Sequence, residues 1–205
     1  LAFGRHVYPE NIHTEGITEI TLADVRYCES MGAVIKLIGR ACEKDGKVSV
    51  ITCPAVIDGE SQLAGVNDVF NAILVRGDAI GDVVFYGRGA GKLPTASAVV
   101  ADVIDCAKHT NRKKIFGWGP SEDGYVVDYE ELDTALFVRA TADDVEKAKA
   151  AVEKVFGTVK FVSRDNQPEN EFAFVTDNEK EKELVAKLDS ISEIKPCSVI
   201  RVSDY

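Results

Sequence analysis

The chain has 205 residues, 45% hydrophobic and 28% charged, with a net charge of −10. This composition fits a folded globular protein and excludes a disordered chain, and no apolar run reaches the ~18 residues of a membrane-spanning helix. The acidic surface also argues against nucleic acid and anionic membranes, which are bound through Lys and Arg.

The first five residues, Leu1-Ala2-Phe3-Gly4-Arg5, lack the basic start and apolar stretch of a secretory signal and read as the interior of a longer protein. Residues 15–20 alternate in polarity and predict a short strand. Thr21 is an N-cap with acidic Asp24 three positions on, which predicts a helix to Met31 stopped by Gly32. Residues 33–42 and 47–53 are β-rich, and Asp45-Gly46 between them predicts a hairpin. Within the first run, Lys36 is expected to face solvent opposite Ile35 and Leu37. Residues 67–75 and 80–86 form a second apolar pair, so the first piece is expected to hold a sheet with much antiparallel pairing.

A glycine-rich loop, Gly87-Arg88-Gly89-Ala90-Gly91-Lys92-Leu93-Pro94, then opens a small-residue helix over residues 95–108. A dinucleotide-binding GxGxxG would need Gly at position 92, where Lys92 stands. A phosphate-binding GxxxxGK[ST] fails in spacing and has Leu93 where Ser or Thr belongs. From pattern alone the loop is either a tight turn or a ligand contact at a helix entrance. Residues 110–124 lose periodicity and predict a connection.

The charge steps at this connection. Residues 1–120 hold 13 Lys/Arg against 14 Asp/Glu, and residues 121–205 hold 11 against 20. The tail predicts strands over 132–140, 158–163, 171–176 and 197–202, with helices over 141–156 and 177–190. Val145, Ala148, Val152 and Val155 form the inward stripe of the first helix, and Leu184, Val185 and Leu188 that of the second. The order βαββαβ is the ferredoxin-like arrangement. The acidic excess, as in Glu179-Lys180-Glu181-Lys182-Glu183, is expected on solvated helix faces.

The five scattered cysteines contain no CxxC pair and read as buried, reduced thiols of a cytosolic protein. His6, His13 and His109 lack metal-ligand spacing and read as structural or surface residues, so no metal is expected. No acid–base pair stands out.

Several segments together resemble the C-terminal half of homoserine dehydrogenase. They are Glu15-Gly16-Ile17, the Asp24 helix, Gly32 through Ile35-Lys36-Leu37, Val69-Phe70-Asn71-Ala72 and, most specifically, Phe85-Tyr86-Gly87-Arg88-Gly89-Ala90-Gly91-Lys92-Leu93-Pro94-Thr95-Ala96-Ser97-Ala98-Val99. The resemblance covers residues 1–110, and the tail is similar to a regulatory ACT domain. It implies an α+β fold: a mixed sheet with helices on one face, forming part of a catalytic and dimerisation domain over 1–118, then a ferredoxin-like ACT-type domain over 126–205. It further implies a cytoplasmic, homodimeric oxidoreductase that interconverts L-homoserine and L-aspartate 4-semialdehyde with NADP or NAD, on the route to threonine, methionine and isoleucine. The family's nucleotide-binding domain and catalytic lysine precede the matching region, so the resemblance supplies no catalytic residue here and Lys36 does not take that role. The fragment alone is expected to be inactive. What it supplies is a cofactor contact at Gly89, Ala90 and Thr95. Arg88 stands where the family commonly has proline. ACT domains often carry an Asp-x-Pro-Gly turn after the first strand, and an amino-acid effector such as threonine binds there. This chain has Arg139-Ala140-Thr141-Ala142-Asp143-Asp144. The alternative function is a non-catalytic amino-acid-binding regulatory or dimerisation module.

Overall fold

The computed structural model describes residues 2–111 and 117–203. In chain order its elements are β1 (His13–Thr14), α1 (Leu22–Ser30), β2 (Ala33–Lys44), β3 (Lys47–Asp58), β4 (Phe70–Gly77), β5 (Gly81–Arg88), α2 (Lys92–Lys108), β6 (Val126–Val127), β7 (Asp133–Thr141), α3 (Val145–Phe156), β8 (Lys160–Val162), β9 (Glu171–Val175), β10 (Glu179–Lys180), α4 (Glu181–Asp189) and β11 (Lys195–Ser203). They fall into two compact units. One comprises residues 1–59 and 118–204, the other residues 60–117. Residues 112–116 of the expected connection lie outside the described residues.

Local signals place most of these elements. Asp24 accepts the Thr21 backbone N–H at 2.8 Å, half of a capping box that starts α1. Asp45 (φ 53°) and Gly46 (φ 73°) form the two-residue turn between β2 and β3, where Lys44 pairs with Lys47. The strand expected over 15–20 is not there. The ladder to β3 covers His13 and Thr14 and ends where the Glu15 N–H donates to Thr52 O at 2.7 Å, and residues 17–19 form a bend and turn.

The first unit holds a nine-stranded mixed sheet in the order β1-β3-β11-β7-β9-β8, with β2 and β6 also on β3 and β10 on β7. β2 pairs with β3 along its whole length. The other side of β3 is shared by three parallel strands: β6 at Val48–Ser49, β1 at Ile51–Thr52 and β11 at Ala55–Ile57. Pro54, which has no N–H to donate, falls in the gap before β11 begins. Tail strands β11-β7-β9-β8 run in the 4-1-3-2 order of a ferredoxin-like arrangement.

Strand alternation sends successive side chains of β7 to opposite faces. Leu136, Val138 and Ala140 pack with Ala148 and Val152 of α3 and Leu184 and Leu188 of α4. Phe137 points the other way, onto Tyr27 and Cys28 of α1, with Val56, Ala173 and Ile200 completing that cluster. Helices therefore cover both faces of the joined sheet, α1 on the face that α3 and α4 leave open; the difference from expectation is that strands of the first piece and of the tail form one sheet. Two inward assignments also need correction. Val185 is 42% exposed while Leu184 and Leu188 are buried, so the α4 stripe is narrower than read. Leu37 is 52% exposed and Lys36 is half-buried, the reverse of the expected order at that pair, since the packed side chain of this run is Ile35.

The second unit is a hairpin, β4 with β5, and the helix α2. The two hairpins of the first piece thus belong to separate sheets. α2 has no buried residue.

Candidate functional site

β5 ends at Arg88, and Gly89-Ala90-Gly91 leads directly into α2 at Lys92, three residues earlier than expected. Pro94 fits within the first helical turn because an amide there needs no intrahelical acceptor. Thr95 donates its N–H to Gly91 O at 3.1 Å and closes that turn. No side chain caps the α2 N-terminus. Gly89, Ala90 and Thr95 are all exposed, so the structure gathers the three expected cofactor residues on one accessible loop and helix start.

The three glycines of this loop are glycine for different reasons. Gly91 has φ +123°, a conformation other residues rarely adopt. At Gly89 the constraint is space: a Cβ there would lie 2.2 Å from Asn71 Nδ2 and 2.6 Å from Asn71 Cγ. At Gly87, the cross-strand partner of Asn71, a Cβ would meet nothing within 4 Å. The fold leaves room there that the protein itself does not fill. On the opposite hairpin face Phe70 stacks on Tyr86 at 4.9 Å, and Arg88 sits 5.4 Å over the Phe70 ring.

The first unit holds one buried and one partly buried charge cluster that sequence reading missed. Arg139, expected at the end of a strand where it meets a turn and given no partner, donates to Asp24 at 2.7 Å and to Glu171 at 3.0 Å. Glu171 also accepts from Arg164 at 2.7 Å and from the Tyr27 hydroxyl at 3.2 Å. Burial alone would raise the Asp24 and Glu171 carboxyls, but the guanidinium bonds outweigh it and hold both below their usual range. The available signal was an arginine inside the apolar run Ala135-Leu136-Phe137-Val138-Arg139-Ala140.

The second cluster centres on Arg201. It holds Glu181 at 2.6 and 2.7 Å and Glu15 at 2.9 Å, and lies 5.5 Å over the Tyr129 ring. His13 stacks on Tyr129 at 3.7 Å and bonds Glu15 at 2.5 Å, a structural role as expected. Glu181 is buried, which corrects its expected place on a solvated face. Beside this cluster a cavity of about 770 Å³ is lined by Tyr8, Glu10, His13, Asp123, Asp128 and Tyr129, among others.

All five cysteines are free, but only Cys28 and Cys53 are buried, and Cys106 and Cys197 are exposed. Burial pushes the Cys28 thiol up to about 12, so it stays protonated and inert. At the β7–α3 turn the N–H of Ala142 donates to Asn170 O at 2.9 Å and that of Lys147 to Asp144 at 3.0 Å. Of these, the Ala142 amide lies in the turn where the resemblance places an effector, and it is already used within the chain.

Among the described residues no helix is long and apolar enough to cross a membrane. The sequence profile describing homoserine dehydrogenase matches residues 1–104. The Pseudomonas aeruginosa homoserine dehydrogenase is 35% identical over 151 residues, covering 70% of this chain and 35% of that protein. The Synechocystis enzyme of the same name is 45% identical over 109 residues, 51% of this chain and 25% of its own length. The solved homoserine dehydrogenase of Thiobacillus denitrificans superposes with a TM-score of 0.81 at 28% identity, covering 99% of this chain and 50% of that one. That of S. aureus, solved at pH 6.0, gives 0.74 at 28% identity, covering all of this chain and 50% of that one. The chain therefore spans 35% or less of the length of these curated relatives and half of the solved ones. With its glycine loop inside the matched region, this chain belongs to the homoserine dehydrogenase family.

Proposed function

We propose that this chain forms the core of an oxidoreductase that interconverts L-homoserine and L-aspartate 4-semialdehyde with NADP or NAD. Residues 1–118 are then part of its catalytic and dimerisation domain, and residues 126–205 an ACT-like tail. The observation that carries this reading is the Gly87–Gly91 loop feeding α2, in the stretch most specific to the family. The five free thiols fit a reducing, cytoplasmic setting.

The loop suits a nicotinamide cofactor on two counts. Gly87 leaves open space, and the amides at the start of α2 have no intrahelical acceptors and suit an anionic or carbonyl oxygen. When bound, the nicotinamide supplies hydride exchange with the substrate carbon. The chain's own contribution is placement. Gly91 turns the backbone into the helix, Gly89 and Ala90 keep the loop low, and Thr95 closes the first turn. A low loop permits the close approach that hydride exchange requires.

Two outcomes test this. The complete protein that carries this sequence is expected to consume NADPH with L-aspartate 4-semialdehyde, followed by the loss of NADPH absorbance. The 205-residue chain alone is expected to show no turnover, since its described residues form no doubly wound nucleotide-binding sheet. Absence of turnover by the complete protein sinks the reading, and turnover by the short chain sinks the division of labour.

The second unit also fits a homodimer. Ile73, Ile80, Phe85, Leu93 and Val103 are all exposed there, Leu93 to 82%. So many exposed large apolar side chains in one small unit suit a surface that a second copy covers. Sedimentation velocity at micromolar concentration is expected to give the mass of two chains, and a single-chain mass overturns this.

A further inference from the structure

We infer that Asn71 is the residue that recognises the carboxamide of the nicotinamide ring, a step that rests on the cofactor reading above. Asn71 is exposed on β4, and its side-chain amide lies against the loop, in the space a side chain at Gly89 would take. Its cross-strand partner is Gly87, the position whose outer side is empty. The Asn71 amide makes no hydrogen bond among the described residues, so both its donor and its acceptor remain available. The other polar side chains of the loop and helix start are the Arg88 guanidinium, which lies over Phe70 on the opposite hairpin face, the Lys92 ammonium and the Thr95 hydroxyl. None of these side chains presents a donor and an acceptor side by side in one plane. A primary carboxamide does, and it pairs with another primary carboxamide through one N–H···O bond in each direction. The nicotinamide ring carries that group. Asn71 thereby fixes which edge of the ring meets the loop, and the empty side of Gly87 leaves room for the ring.

The test compares two nucleotides on the complete protein by calorimetry: NADP and its 3-acetylpyridine analogue, whose acetyl group keeps the carbonyl acceptor but lacks the N–H donor. The wild type is expected to bind NADP roughly five- to tenfold more tightly than the analogue, the worth of about one neutral hydrogen bond. Asn71→Leu keeps the side-chain size without the carboxamide and is expected to bind both nucleotides with equal dissociation constants. Asn71→Ala should repeat that result and guards against a folding defect in the first variant. In the wild type, the Asn71 side-chain N–H resonances should shift on titration with NADP and less so with the analogue. A wild-type ratio near one overturns the inference. So does a variant that weakens both nucleotides by the same factor, which marks Asn71 as packing for Gly89 only. A wild type that binds neither nucleotide overturns the cofactor reading itself, and this inference with it.

Discussion

Replacing Arg139 by alanine is expected to destabilise the first unit by about 3–5 kcal/mol, read as a fall in the urea midpoint followed by far-UV circular dichroism. The cause is what the substitution leaves behind. Asp24 is fully buried, and its carboxylate is neutralised by Arg139 at 2.7 Å. Without the guanidinium, that charge has only Thr21 donors for company. Glu171 keeps Arg164, so the cost concentrates on Asp24. A loss under about 1 kcal/mol, the range of an exposed ion pair, sinks this account.

Acid tests the same cluster from the other side. Both carboxyls have folded-state pKa values below their unfolded values. Their contribution is therefore complete above the ordinary carboxylate range, near pH 4, and is lost as pH falls through the lower folded values. In the alanine variant the balance at Asp24 reverses, because burial, which favours the neutral form, no longer meets the guanidinium. The gap between wild type and variant is thus expected to shrink between pH 7 and pH 4. A gap that stays constant over that window shows that lost packing, not charge, is the cause.

Much of the local structure was legible because it depends on neighbouring residues alone. The Asp45-Gly46 turn needs two positive φ angles in a row, and the sequence supplies residues that adopt them. The α3 stripe is visible because every third or fourth residue must meet one sheet face. The glycine loop was legible as a motif, and its expected residues do lie together. Three features were not legible, each for a physical reason. The second charge cluster joins residues far apart in sequence, Glu15 with Arg201, and no local pattern encodes that pairing. The Asn71 contact with Gly89 depends on how β4 and β5 align. The strand shift from 15–20 to His13–Thr14 depends on where β3 offers open edge, since alternation marks a possible strand and pairing decides which residues form it.

Deleting residues 126–205 is expected to unfold residues 1–59 as well, rather than leave a folded core without its tail. β11 lies inside the sheet, paired with β3 on one side and β7 on the other, so the cut removes a strand from its middle. Tyr27 and Val56 would lose Phe137 and Ile200 as their burial partners. At about 1.5–3 kcal/mol for each large apolar side chain returned to water, the two that stay behind, Tyr27 and Val56, represent roughly 3–6 kcal/mol as an upper bound. The whole stability of a domain is about 5–15 kcal/mol, so this is a large share of it before the lost β11–β3 ladder is counted. Arg201 would leave with the tail, and Arg139 with it, so Asp24 would be stripped of its cation too. The readout is the amide NMR spectrum: resonances of β2 and β3 are expected to collapse to unfolded dispersion in the truncated chain. Dispersed β2 and β3 resonances would show instead that the tail is a detachable module. The tail alone should suffer less, because its face toward α3 and α4 is closed within its own residues. That asymmetry follows from which unit owns which core. The tail carries a complete cluster of its own, whereas the α1–β2–β3 segment shares the Tyr27 cluster with the tail and cannot bury Tyr27 without Phe137.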